Sequence, residues 1–431
     1  MSERPIWDKG RSDIDERLMR FLAGEDVRLD QHLLPYDIRA SIAHVNGLQR
    51  IGILDGTESA ALVAALRELD KLAARGQFVL DDRYEDGHSA IESFLTERLG
   101  DAGRKVHTGR SRNDQILVAT RLYLRDHLDR LAAVSLNIAE HFLERAAGDE
   151  RTPMPGYTHL QRAVPSTIGL WCGAFAESFL DIASLARTTR EWINTCPLGT
   201  AAGYGVNLDL DRQGVSDELG LDRLQFNAMY AQNSRGRFDL AALHALHQAL
   251  LEVRRFAWDL SLFTTEEFGF VRLPDRFTTG SSIMPNKRNP DVVELLRASC
   301  GIVEGAMTEL ASVLALPSGY QRDLQATKEP LIRALSRGLA ALAILPDLVA
   351  SMEFDRARLR EAMTPGMFAT DRAIELASEG MPFREAYRQV GKEIDAMTAL
   401  PIDESIAKRT SLGGSGNLGL DVLRQRLESL R

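Results

Sequence analysis

The chain has 431 residues, 44% of them hydrophobic and 26% charged, an ordinary balance for a globular protein and enough for two or three domains with large cores. Its formal net charge of -9 excludes global attraction to nucleic acid or to an anionic membrane, so an anionic ligand has to be drawn by a local cluster of cations. Cys172, Cys196 and Cys300 show neither metal-ligand spacing nor a disulfide framework, the first thirty residues are charged, and no uninterrupted apolar run of about eighteen residues occurs; a reducing cytoplasm is the expected compartment.

In chain order, residues 1–107 read as shorter helices broken at Gly52, Gly56, Gly76, Gly100 and Gly103, an N-terminal helical domain. From 108 to 354 helical periodicity runs unusually long, over roughly 114–147, 165–195, 238–268, 290–316 and 329–353, against about twelve residues for an average helix. Each rod could span about 40 Å at about 1.5 Å per residue. In the second, Trp171, Phe175, Phe179, Ile182 and Ala186 form one stripe while Ile168, Leu170, Ala174 and Leu185 put apolar atoms on other faces, and a helix apolar on several sides needs several neighbours. Pro346 should kink the fifth rod. Residues 355–431, with Pro365, Pro382, Pro401 and the turn Gly413-Gly414-Ser415-Gly416, read as a small C-terminal helical domain. The fold class is all-α: a central five-helix bundle with two smaller helical end domains, whose surplus apolar faces predict association of subunits.

The string Gly280-Ser-Ser-Ile-Met-Pro-Asn-Lys-Arg-Asn-Pro290 concentrates chemistry. It holds two hydroxyls, two cations and a helix opening at Asn289-Pro290-Asp291, with Asn289 as the expected cap and Pro290 in the first turn. Three further strings accompany it in order: Val106-His-Thr-Gly-Arg-Ser-Arg-Asn-Asp-Gln115, Pro155-Gly-Tyr-Thr-His-Leu-Gln161, and Gly319-Tyr-Gln-Arg-Asp-Leu-Gln325 followed by Lys328. Together these four motifs, spread over more than two hundred residues, resemble the fumarase/aspartase superfamily, and within it the branch that splits argininosuccinate into arginine and fumarate, the last step of arginine biosynthesis.

The resemblance implies a homotetramer around a twenty-helix core, with each active site built from three subunits. That reaction removes a proton from a carbon next to a carboxylate while a C–N bond breaks, which requires a strong base, donors for the transient charge and an acid for the leaving nitrogen. Ser281 matches the base; an ordinary serine is too weak and has to be ionised by cations, backbone N–H groups and exclusion of water. His159 is implied as general acid, with Glu294 orienting and charging its imidazole. Lys287 and Asn289 match carboxylate binders, and Ser111, Asn113 and Thr158 match substrate-binding positions. Arg112 beside them is a plausible bidentate carboxylate clamp. Tyr320, Gln325 and Lys328 match residues that hold the other end of the substrate, and Asp26 is a weaker match of the same kind. His88 and His107 are further histidines near these motifs. No metal, nucleotide or other cofactor is called for.

This sequence departs from the family pattern at its opening, Ile6-Trp7-Asp8-Lys9-Gly10, at Leu22 four residues before Asp26, at Ser89-Ala90-Ile91-Glu92, and at Arg235-Gly-Arg-Phe-Asp239, where Arg237 could still reach a carboxylate. These departures touch the part expected to read the amino-acid end, so a modified substrate, for example an N-acylated one, stays conceivable. Two other readings stand beside the first: another fumarate-releasing lyase, acting on adenylosuccinate, aspartate or malate, and a catalytically silent structural protein like the lens crystallins of this superfamily.

Overall fold

The computed structural model describes residues 21, 24–81, 83–398 and 400–431; the opening Ile6–Gly10 and Leu22 lie outside them. Helices dominate. Helices α1 (Asp26–Arg50), α2 (Gly56–Ala74) and α3 (Gly87–Leu99) precede five rods: α4 (Arg112–Gly148), α5 (Ile168–Ile193), α6 (Arg237–Phe263), α7 (Asp291–Val313) and α8 (Lys328–Ser351). All five expected rods are present, each within a few residues of its expected ends. Helix α8 continues to Ser351 with Pro346 inside it, so the proline does not end the rod.

The chain falls into two compact units. The first takes residues up to 130, 186–246 and 302–337; the second takes 131–185, 247–301 and 338–431. In the first unit, α1 (Asp26–Arg50), α2 (Gly56–Ala74) and α3 (Gly87–Leu99) enclose a core that includes Leu34, Ile38, Leu48, Leu62, Leu66, Ile91 and Leu95. Asp55 with Glu58, and Asp86 with Ser89, close capping boxes on α2 and α3, satisfying N–H groups that a helix start leaves free. The N-terminal region is not made of short helices alone. Helix α1 has 25 residues and passes through Pro35. A proline there removes one backbone hydrogen bond, and the buried stripe of Leu29, Leu33, Ile38, Val45 and Leu48 offsets that loss.

Within the first unit, α4, α5 and α6 meet where the Trp192 ring stands edge-on to Phe238 at 5.0 Å and the Arg121 guanidinium lies 4.0 Å over that same ring. In the second unit the same three helices meet at Phe142, Phe175 and Phe256, whose centroids are 5.2–5.3 Å apart. Burying one such ring contributes about 1.5–3 kcal/mol, so this cluster is a principal anchor of the unit.

The second unit also contains an antiparallel hairpin, β1 (Pro153–Thr158) and β2 (Gln161–Thr167). The sequence hides it because Pro153, Pro155 and Pro165 interrupt the alternation that marks a strand. A register shift lies at Gly156, where an added Cβ would stand 2.9 Å from the Val164 carbonyl oxygen. Short helices, among them Ala369–Ser378 and Phe383–Glu393, complete the unit around Ala373, Leu376, Ala386 and Val390.

Candidate active site

Six of the residues singled out in the sequence line one cavity of about 320 Å³ in the first unit: Asp26, Arg112, Asn113, Tyr320, Gln325 and Lys328. Asp30, Glu85, Asp86, His88, Arg235 and Arg322 line it as well. Leaving His88 aside, side-chain cations (Arg112, Arg235, Arg322, Lys328) and carboxylates (Asp26, Asp30, Glu85, Asp86) are balanced there, four against four. Lys328, the first residue of α8, is buried and lies 2.9 Å from Asp26 Oδ1 and 2.6 Å from Asp30 Oδ1. Burial opposes its charge, yet the two carboxylates outweigh burial and raise its pKa above the ordinary lysine value. Arg112 Nη1 lies 2.9 Å from Glu85 Oε2 and 3.0 Å from Asp86 Oδ2. Burial likewise opposes the Arg112 charge, and its acidic neighbours reverse the sign.

His88 is held from behind by buried Asp37, 2.5 Å from its Nδ1, and Gln115 donates to the other Asp37 oxygen at 2.9 Å. Burial would neutralise this imidazole, but Asp37, Asp86 and Asp30 lift its pKa above the usual 6.5 and so favour its charged form. His107 behaves in the opposite way, since burial and then Arg110 push it down to about 4. Ser111 closes the N-terminal end of α4: its Oγ accepts from Asn113 N–H at 3.2 Å and its own N–H donates to Asp114 at 2.8 Å. Asp114 also accepts from Gly199 and Ala201 N–H, and burial raises its carboxyl to about 6.

Sequence reasoning gave no role to Asp30, Glu85, Asp86, Asp37 or Asp114. One signal was available for Asp30. It stands one helical turn after Asp26, on the same face of α1. Of the two arginines in the Arg235-Gly-Arg237 string, Arg235 lines the cavity; Arg237 is exposed and lies 5.6 Å over the Trp192 ring instead.

The remaining residues lie in the second unit. The loop carrying Ser281 is pinched at its base, where Thr279 and Asn289 exchange backbone hydrogen bonds of 2.9 and 2.7 Å. Asn289 is therefore not the cap of the following helix. Helix α7 starts at Asp291, the Pro290 carbonyl accepts its first bond from Glu294 N–H, and the Asn289 side chain donates to the Gly280 carbonyl at 3.4 Å. Pro290 forces the preceding residue toward extended backbone, which suits the bridge better than a cap. Ser281 Oγ accepts two backbone N–H groups, from Ile283 at 3.3 Å and Met284 at 3.0 Å.

Residues 282–288 are exposed. Arg288 is tied back to Asp275 and to the Leu273 carbonyl, whereas the Lys287 side chain has no partner among the described residues. His159 and Leu160 form the two-residue turn of the β1–β2 hairpin with φ of 55° and 58°. Such a turn needs positive φ at both positions, a conformation that costs a residue with a Cβ about 1–2 kcal/mol. Thr158, His159 and Glu294 are exposed, and no hydrogen bond or ion pair joins His159 to Glu294 among the described residues.

Known proteins match this chain over nearly its whole length. A family profile described as "Lyase" matches residues 13–305. The chain is 54% identical over 423 residues to an argininosuccinate lyase of Sorangium cellulosum, covering 98% of each. It is 54% identical over 429 residues to one of Stenotrophomonas maltophilia, covering 99% of each. Among solved structures it is similar to an EDDS lyase in complex with formate, at TM-score 0.80 and 25% identity over 96% of this chain and 90% of that one. It shares its fold with a class II fumarase of Schistosoma mansoni, at TM-score 0.75 and 15% identity over 96% and 94% of the two chains. With identity of this extent and a helical architecture common to these lyases, the chain belongs to the argininosuccinate lyase family of the fumarase/aspartase superfamily.

Proposed function

We propose that this carbon–nitrogen lyase eliminates fumarate from argininosuccinate, the last step of arginine biosynthesis, with Ser281 as its base. Ser281 takes the proton from the succinyl carbon next to a carboxylate. The electrons of that C–H bond form the C=C bond of fumarate, the C–N bond breaks, and the guanidino nitrogen of arginine leaves with a proton from His159, oriented by Glu294. The observation that carries the assignment of the base is the pair of backbone N–H groups on Ser281 Oγ, because donors to the oxygen favour its ionised form. Lys287, six residues further on and without a partner among the described residues, adds to that effect and with Asn289 holds a succinyl carboxylate. The left-handed turn at His159 keeps the acid at the hairpin tip, where reacting groups are commonly held in costly backbone conformations.

Lys328, Tyr320, Gln325 and Asp26 hold the amino-acid end, while Ser111, Asn113, Arg112 and Thr158 hold the rest. Arg112 pairs through one nitrogen and keeps other N–H donors for a substrate carboxylate. The active assembly we propose is a homotetramer in the cytoplasm, with 108–354 forming a twenty-helix core between the end domains 1–107 and 355–431, and with sites completed by residues of more than one subunit. Exposed Trp258, Leu295 and Ile344, on α6, α7 and α8, support such helix-to-helix association, and the three free cysteines suit a reducing compartment. The relatives do not favour adenylosuccinate, aspartate or malate as substrate, nor a silent structural role. Fumarate absorbance with argininosuccinate and each rival decides: release from argininosuccinate alone is expected, and release from a rival alone would overturn the reading.

A further inference from the structure

The loop that carries Ser281 has little apolar packing: Ile283 and Met284 are exposed, and a Cβ added at Gly280 would meet nothing within 4 Å. Its course is fixed instead by polar ties at its base. Besides the Thr279–Asn289 bridge, Thr279 Oγ1 donates to Asp291 at the start of α7. Arg288 Nη2 donates both to Asp275 Oδ1 and, at 3.2 Å, to the Leu273 carbonyl. Asp275 opens a short 3-10 helix, Asp275–Phe277, that is itself fastened to the second unit: Phe277 is buried, and Arg276 donates to Asp347 at 2.6 Å and to Ser351, both on α8. Thr279 stands two residues after Phe277, so both stems of the loop refer to one anchor.

We infer that Arg288 and Asp275 are positioning residues for the elimination: the guanidinium ties the end of the loop to the anchored 3-10 helix, and so sets where the Ser281 oxygen stands, without touching the substrate. This rests on the reading of Ser281 as the base. The Asp275 side chain is 93% exposed, and an exposed ion pair adds little to folding stability, so its effect falls on the path of the loop that it closes. Rate is far more sensitive than stability to that path, since a base displaced from its attacking distance loses rate steeply. Lys287 and Arg288, neighbouring cations that look alike in the sequence, thereby have different duties: one faces solvent and answers a substrate carboxylate, the other holds the loop.

Steady-state fumarate release from argininosuccinate by Asp275→Asn, Arg288→Met and their double variant tests the inference. Arg288→Met should lower kcat about 10-fold and Asp275→Asn about 3- to 5-fold, with KM within about twofold of wild type because neither residue touches the substrate. The double variant should lose no more than Arg288→Met alone, since both changes cut the same tie. A role through charge predicts the opposite sign at Asp275: removing that carboxylate would bare the Arg288 cation, and kcat would hold or rise. That result, or losses that multiply in the double variant, overturns the inference. Full activity of Ser281→Ala, or no fumarate release by the wild type, would instead overturn the proposed function.

Discussion

The cavity of the first unit and the Ser281 loop of the second handle charge in opposite ways. In the cavity, Lys328 is answered by Asp26 and Asp30, Arg112 by Glu85 and Asp86, and His88 by Asp37. On the loop, among the described residues, Lys287 has no partner and Ser281 Oγ is met only by backbone N–H groups. A buried cation has to be paired because leaving it alone is prohibitive, whereas an exposed one is stabilised by water until a ligand replaces that water. Charge in the cavity is thus paired within the folded chain, whereas the charge on the loop faces water.

The largest expected effect lies on the loop. Ser281→Ala should lower kcat by several powers of ten, about 1.4 kcal/mol of barrier for each tenfold, with Ser282→Ala losing less. Near-normal fumarate release from Ser281→Ala would remove the base from the account. Next comes a reversal between stability and rate. Lys328→Met strands two carboxylates in the cavity and should cost about 3–5 kcal/mol in urea unfolding. Lys287→Met should change stability by less than about 0.5 kcal/mol, yet cut kcat/KM by about a hundredfold. Equal unfolding midpoints for these two variants would erase the distinction between the regions.

Much of this was legible in the sequence. The five rods declared themselves through periodicity sustained over more than twenty residues, which chance rarely imitates. The Ser281 string, its cations and the six cavity residues were recognisable because chemistry is written there in contiguous motifs. What stayed hidden was long-range or exceptional. Asp30 and Asp37 became meaningful only when α1 met Lys328 and His88, residues dozens to hundreds of positions away. Helix α1 ran through a proline that reads as a break, and the β1–β2 hairpin was masked by its prolines. Asn289, a good helix cap by type, was drawn into the bridge with Thr279 by a loop geometry that composition does not encode.

A smaller effect should appear with pH. The fold raises the His88 pKa, so its contribution to stability is fully present below the unfolded value of about 6.5 and is lost as pH rises through the folded one. Asp37 and Asp86 are lowered, so theirs is present above about 3.8 and lost as pH falls through their folded values. Urea unfolding across this range should show both flanks, and His88→Gln should flatten the alkaline one; an unchanged alkaline slope would mean that Asp37 does not hold the imidazole charged. The smallest effect concerns motion. Amides of residues 282–288 should exchange faster than those lining the cavity and become protected when a succinate-like ligand binds, while equal protection in both states would mark the loop as preformed.

Subunit mixing reaches the central claim most directly. Ser281 and His159 belong to exposed segments, so Ser281→Ala and His159→Asn should each fold normally and be inactive. If one site draws these residues from different subunits, each is intact in half of an equimolar mixture and about a quarter of sites should regain both, restoring a comparable fraction of wild-type activity. Mixtures proved by native mass spectrometry to have exchanged subunits, yet no more active than their parents, would contradict a site completed between chains.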